Sequence, residues 1–141
     1  MSEPRRFRVL FVCIGNSCRS PMAEAMANHS HGDVLEASSA GVAPAPIVQA
    51  LTHQCLAEKG VTLSAEKRPQ KLEKSDWASM DVIVNISGQG IAPIIEGFEG
   101  ATLLWDVIDP IGLPMPAYRE ARDRLERLVD RLASQLRGSR A

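Results

Sequence analysis

The stretch LFVCIGNSCRSP, residues 10–21, gathers two of the chain's three cysteines in one short loop and places an arginine six positions after the first. A phosphate group is bound where several hydrogen-bond donors and positive potential converge. A tight loop can aim successive backbone N–H groups inward, and a following helix adds its N-terminal dipole. Ile14, Gly15, Asn16, Ser17 and Cys18 are placed to supply such a nest, and Gly15 is expected to take backbone angles that a side chain would forbid. Arg19 can fold its planar fork over the same anion and grip two oxygens. Cys13 then points into the donor ring. The field that attracts a phosphate dianion also favours a thiolate, which makes Cys13 a candidate nucleophile. Ser20 has two compatible uses, as helix N-cap or as hydroxyl donor to the Cys13 sulfur, and Asn16 can brace the loop through its side-chain amide.

Displacement at phosphorus by a thiolate also needs an acid to protonate the departing oxygen, and the same group, once ionised, can activate water. WDVIDPIG, residues 105–112, offers Asp106 and Asp109. Asp109 precedes Pro110, which biases it away from helix and sets it at the start of a loop. It is the candidate acid, with Asp106 a strand-end or capping residue. Other readings of these residues fit poorly. Zinc could be sought in Cys13, Cys18, His29 and His31, but the usual ligand spacings are absent. A nucleotide P-loop lacks its second glycine and its lysine. Gly88 and Gly90 make only a turn, because Pro93 stands where a dinucleotide fingerprint needs its third glycine.

Elements must bring these loops together. Phe7–Ile14 reads as a strand buried on both faces, followed by a helix over Pro21–His31 with Pro21 at its first position. Strands are predicted over 33–40, 81–86 and 101–107, and helices over 47–59, 72–78 and 91–96, with Gly60 stopping the first of these. The last helix carries an apolar stripe of Leu125, Leu128, Val129, Leu132 and Leu136, with Glu120–Arg124 and Asp123–Arg127 as i,i+4 pairs. Alternating strands and helices predict an α/β fold, a three-layer sandwich with a four-stranded parallel sheet and helices on both faces, as one domain over 1–141. Ligands bind such sheets at the carboxyl ends of the strands, where both candidate loops open.

Composition narrows the setting. Sixteen basic residues nearly balance seventeen acidic ones, for a net charge of −1, which gives no reason to expect nucleic acid as a partner. The apolar run near the start is too short to span a bilayer or to form a convincing signal-peptide core. Three cysteines do not make a secreted disulfide framework, so the expected compartment is the reducing cytoplasm.

Taken together, VCIGNSCRSP, the SAG of Ser39–Gly41 and the DVIDP of Asp106–Pro110 resemble, in order and spacing, the low-molecular-weight protein tyrosine phosphatases and the arsenate reductases related to them. The resemblance spans nearly the whole chain. It implies a phosphocysteine intermediate on Cys13, Arg19 binding the transition state, Asp109 as acid and then base, and no metal or other cofactor. It further implies that Asn16 and Ser39 tie down the loop and that Ser20 assists Cys13. Substrates would be phosphotyrosine proteins or small aryl phosphates. The chain departs from the pattern at Ala65, where a histidine often stands, and at Ile111 and Gly112, where aromatics often follow the Asp-Pro. GVAPAP, residues 41–46, likewise lacks an aromatic. Two alternatives stand beside hydrolysis: arsenate reduction with an external thiol, and a non-catalytic oxyanion-binding module. Cys18 is close enough in sequence to trap an oxidised Cys13 as a disulfide.

Overall fold

The computed structural model describes residues 5–140; the expected domain limits, 1 and 141, lie outside the described residues. Four parallel strands, β1 (Phe7–Cys13), β2 (Leu35–Gly41), β3 (Val82–Asn85) and β4 (Ala101–Leu104), form one sheet in the order β2-β1-β3-β4. The central strand β1 is apolar on both faces, which is why a continuous rather than alternating run marks it. Its register pairs Cys13 with Gly41 and Val12 with Asn85, so the three strand ends converge.

One face, with Val9, Phe11 and Val84, packs against three helices: α1 (Arg19–His31), α2 (Ala50–Ala57) and α3 (Met115–Arg140). The other face, with Leu10, Val12 and Ile83, is covered by Leu72, Met80, Ile91 and Ile95. These come from two 3-10 turns, Leu72–Lys74 and Trp77–Ser79, and from hydrogen-bonded turns over 92–97. The expected helices over 72–78 and 91–96 are therefore single turns, each too short to nucleate an α-helix. Other boundaries shift too: β1 and β3 end one residue early, β2 starts at Leu35, and α1 starts at Arg19, so Pro21 is not its first position. Helix α2 starts only at Ala50, because Gln49 is extended (φ −61°, ψ 138°), and it ends at Ala57, three residues before Gly60 turns the chain at φ +71°. Strand β4 ends at Leu104, short of the expected Val107.

Helix α3 buries Leu125, Val129, Leu132 and Leu136 as the stripe requires, with Leu128 partly covered. Among the described residues neither expected i,i+4 pair forms. Arg119 and Arg122 reach across to Glu58 beyond α2, at 2.7 Å each, and Arg124 Nε donates to the Asp106 carbonyl at 2.6 Å. Arg124 is thus held by a long-range carbonyl, and Asp123 pairs with its neighbour Arg122 at 2.9 Å instead of with Arg127.

Candidate active site

The site forms where β1 ends. Four carbonyls of the loop are drawn to the facing segment: Val42 N–H donates to Cys13 O (3.1 Å), Ala43 to Ile14 O (2.9 Å), Ala45 to Gly15 O (2.9 Å) and Gln49 to Ser17 O (3.0 Å). Across a trans peptide the next N–H points the opposite way. The amides of Ile14, Gly15, Asn16 and Cys18 are thereby turned away from that segment, the arrangement of an anion nest.

The unusual backbone angle falls on Asn16, not on Gly15. Asn16 has φ +51°, and asparagine is among the side chains that tolerate this region. Gly15 matters for room: a Cβ there would sit 3.3 Å from Ser17 Oγ and 3.6 Å from Ala45 Cβ. Tighter still is Gly41, at the end of β2, where a Cβ would lie 2.6 Å from Ile14 O and 2.9 Å from Asn16 N.

Asn16 is also the hub of the site's hydrogen bonds. Its Oδ1 accepts from the backbone N–H of Gln70 at 2.9 Å, and its Nδ2 donates to Ser20 Oγ and Ser39 Oγ, each at 2.9 Å. Ser39 Oγ in turn donates to Glu24 (2.6 Å), whose carboxylate also holds Lys67 (2.8 Å). With both Asn16 amide hydrogens spent on hydroxyl oxygens, the Ser20 proton has two acceptors within reach, Cys13 Sγ at 2.9 Å and the Ala40 carbonyl at 3.4 Å. Ser20 is therefore not the helix N-cap. Cys18 occupies that place without a side-chain cap bond.

Arg19, 5% exposed, opens α1. Its Nη1 donates to the carbonyls of Ile86 (3.0 Å) and Val107 (2.9 Å), just past the ends of β3 and β4. Its Nη2 lies 3.7 Å from Asp109 Oδ2. Asp109 is 39% exposed at its side chain, and its Oδ1 accepts the Ile111 N–H at 3.1 Å, the Asx turn that an Asp-Pro start favours. Asp106 is exposed and contributes its carbonyl to α3. Burial pushes the Cys18 thiol far up, with Cys13, Cys55 and Asp109 adding to it and Thr52 opposing. Ser17 Oγ, fully buried, has no hydrogen-bond partner, alone in this among the described residues.

Cys13, Ile14–Arg19, Ser20, Ser39 and Asp109 thus share one site. Three members went unnoticed in the sequence: Glu24, Lys67 and Gln70. Glu24 carried a signal, since it stands four residues after Ser20 on the same helix face. Lys67 and Gln70 lie in an irregular basic stretch with no periodicity to single them out.

A buried Cys-x5-Arg loop closing the central strand of a four-stranded parallel sheet defines a class, and comparison with known proteins agrees. Residues 8–141 match the family model described as low molecular weight phosphotyrosine protein phosphatase. The chain is 37% identical over 147 residues to a protein-arginine-phosphatase of Geobacillus stearothermophilus, covering 92% of this chain and 96% of that one. It is 30% identical over 140 residues to a probable low molecular weight protein-tyrosine-phosphatase of Ralstonia nicotianae, covering 92% and 95%. The solved arginine phosphatase from Geobacillus stearothermophilus superposes with a TM-score of 0.81 at 33% identity, over 94% of each chain; arsenate reductases are among the further relatives. The chain belongs to the low molecular weight phosphotyrosine protein phosphatase family, and it is a cysteine-dependent phosphatase. Phosphorylated substrates and phosphate binding follow from that membership. No described helix is long and apolar enough to cross a membrane.

Proposed function

We propose that this chain works in the cytoplasm on phosphorylated proteins, with Cys13 as nucleophile and Asp109 as acid and base. The observation that carries the reading is the convergence of the Cys13–Ser20 loop with the distant Asp109: Cys13 Sγ lies against Ser20 Oγ, and Arg19 Nη2 against Asp109 Oδ2. The Cys13 thiolate attacks phosphorus, the S–P bond forms, and the P–O or P–N bond of the substrate breaks. Asp109 passes its proton to the leaving atom, and the loop amides and Arg19 hold the equatorial oxygens. Water then attacks the phosphocysteine, Asp109 accepts its proton, and inorganic phosphate leaves. Ser20 stabilises the departing thiolate through the hydroxyl that faces it.

In the first reading the substrate is phosphotyrosine or a small aryl phosphate. The second is phosphoarginine, favoured by the residues beside the site. Ile47, Ile108, Ile111 and Leu113 are exposed there at 59, 77, 42 and 48%. An aliphatic rim suits a methylene stem, whereas a phenyl ring is best matched by stacking aromatics. The 37% identical relative carries the name protein-arginine-phosphatase. Arsenate reduction is less well supported. Burial pushes the Cys55 thiol up to about 11 and raises Cys18 further, so neither is a ready relay thiolate.

The test is phosphate release from p-nitrophenyl phosphate, a phosphotyrosine peptide and a phosphoarginine peptide, in chelator, beside arsenite production with added thiol. Cys13→Ser should abolish release, and Asp109→Asn should slow it by about 10²-fold or more, the usual share of a general acid. No release by wild-type protein whose Cys13 still alkylates would sink the hydrolase mechanism. A faster arsenite yield would reassign the chemistry to reduction.

A further inference from the structure

Beside the phosphate loop, on the sheet face away from the three helices, lies a groove of about 790 Å³. Ile91, Ile95 and Phe98 from the turns after β3 form one wall, and Leu104 of β4 forms part of the other. Leu104, the last residue of the edge strand β4, is 78% exposed. A volume of this size is that of a site for a small ligand or a few side chains.

Two further features say what would fill it. The lining includes the carboxylates of Glu96 and Asp106 and no lysine or arginine. Neither carboxylate has an ion-pair partner among the described residues, in a chain where Asp76, Asp81, Glu58 and Glu73 all do. The groove is also continuous in sequence with the catalytic machinery. Asn85 precedes Ile86, whose carbonyl holds Arg19, and Asp106 precedes Val107, which holds it too. An occupant of the groove is therefore a neighbour of whatever occupies the phosphate loop.

We infer that this groove receives the polypeptide flanking the phosphorylated residue, and selects substrates with a large apolar side chain next to a lysine or arginine. The apolar side chain enters between Ile91, Ile95 and Leu104, and the cation meets Glu96 and Asp106. Recognition of this kind leaves small substrates untouched, because they reach the loop but not the groove. The inference rests on the phosphatase reading for its kinetic consequence, but not for the binding itself.

The experiment uses the full chain and two peptide sequences. One flanks the phosphorylated residue on both sides with leucine and lysine, and the other with glycine and serine; each is made with phosphotyrosine and with phosphoarginine. Wild-type protein should show kcat/KM higher by at least about tenfold for the leucine-lysine peptide, the factor that one apolar side chain in a pocket supplies. Leu104→Lys and Glu96→Lys, both at exposed positions, should bring the two peptides to within about twofold while leaving turnover of p-nitrophenyl phosphate unchanged. Equal kcat/KM on wild-type protein, or a preference that survives in both variants, overturns the groove as a substrate site. Fluorescence anisotropy of the dye-labelled, unphosphorylated leucine-lysine peptide reads binding without chemistry. Binding lost in Leu104→Lys supports the inference even if no substrate turns over, an outcome that would sink the hydrolase reading alone, and absence of binding to wild-type protein overturns it. Sedimentation covers one other occupant: a dimer that Leu104→Lys dissolves would assign the groove to a second copy of this chain and overturn the proposal.

Discussion

Replacing Gly41 with alanine should damage the phosphate loop without touching any residue that carries chemistry. The added Cβ would sit 2.6 Å from Ile14 O, 2.9 Å from Asn16 N and 3.0 Å from Gly15 C. All three are backbone atoms of the nest, so no side chain can swing aside to make room. Ordinary contact needs roughly 3.4 Å or more, so the loop and the end of β2 must part by about 0.5–1 Å. Gly41 is tied on both sides, by its own N–H to Gln70 O at 2.8 Å and by Val42 N–H to Cys13 O at 3.1 Å, so the displacement passes into the loop. A shift of about 1 Å at a reacting centre costs on the order of 10²-fold in rate, and overpacking costs about 1–3 kcal/mol in stability. The assay is kcat/KM on p-nitrophenyl phosphate, with competitive inhibition by inorganic phosphate as a measure of the nest alone; both should weaken. Gly138→Ala, in the last turn of α3 with nothing within 4 Å of the added atom, is the matched control and should change neither. If Gly41→Ala retains activity to within about twofold, the loop is not held where the close approach of β2 requires, and the geometric argument fails.

Ser39→Ala leaves one Asn16 amide hydrogen buried without its acceptor, at a cost of about 1–3 kcal/mol, and should lower both Tm and the rate on an aryl phosphate; an unchanged Tm would mean that Asn16 finds another partner. Ser17→Ala removes a buried hydroxyl that has no hydrogen-bond partner. It should therefore hold or raise the Tm of the ligand-free protein by relieving about 1 kcal/mol of uncompensated burial, while inhibition by phosphate weakens; a lower Tm would show that the hydroxyl is satisfied in solution. The Arg119 and Arg122 guanidiniums hold the Glu58 carboxyl down to about 2, below its ordinary 4.5. A depressed folded-state value means that the contribution is full above the ordinary value and is lost as pH falls toward about 2. The Tm gap between wild type and Glu58→Gln should thus be constant near neutrality and close below pH 4.5; a gap that widens on acidification would refute the linkage.

What was legible in the sequence follows from how local each feature is. The run from Phe7 to Arg19 combines a buried strand, a tight loop and a helix start in consecutive residues, so its architecture and its chemistry can be read together. Asp109 is legible because the Asp-Pro junction marks a loop start. The partners of Asn16 were harder: Gln70 acts through a backbone N–H that no residue type announces, and Lys67 reaches Glu24 across 43 positions of chain. Asn16 braces the loop as expected but also takes the positive φ expected of Gly15, because glycine's freedom can serve φ or space, and only the facing segment at Ala45 decides which. In the thin second layer the expected helices are turns, since short apolar runs such as Ile91–Ile95 do not distinguish the two.

Arg19, the proposed anion ligand, is also a crossbeam. Its Nη1 spans from the start of α1 to carbonyls beyond β3 and β4, so one cation draws together three chain segments at the sheet's carboxyl edge. A bound oxyanion would then do mechanical work on the fold, raising Tm by mass action through the same guanidinium that recognises it. On the proposed reading, substrate affinity and resistance to unfolding would then meet in a single side chain.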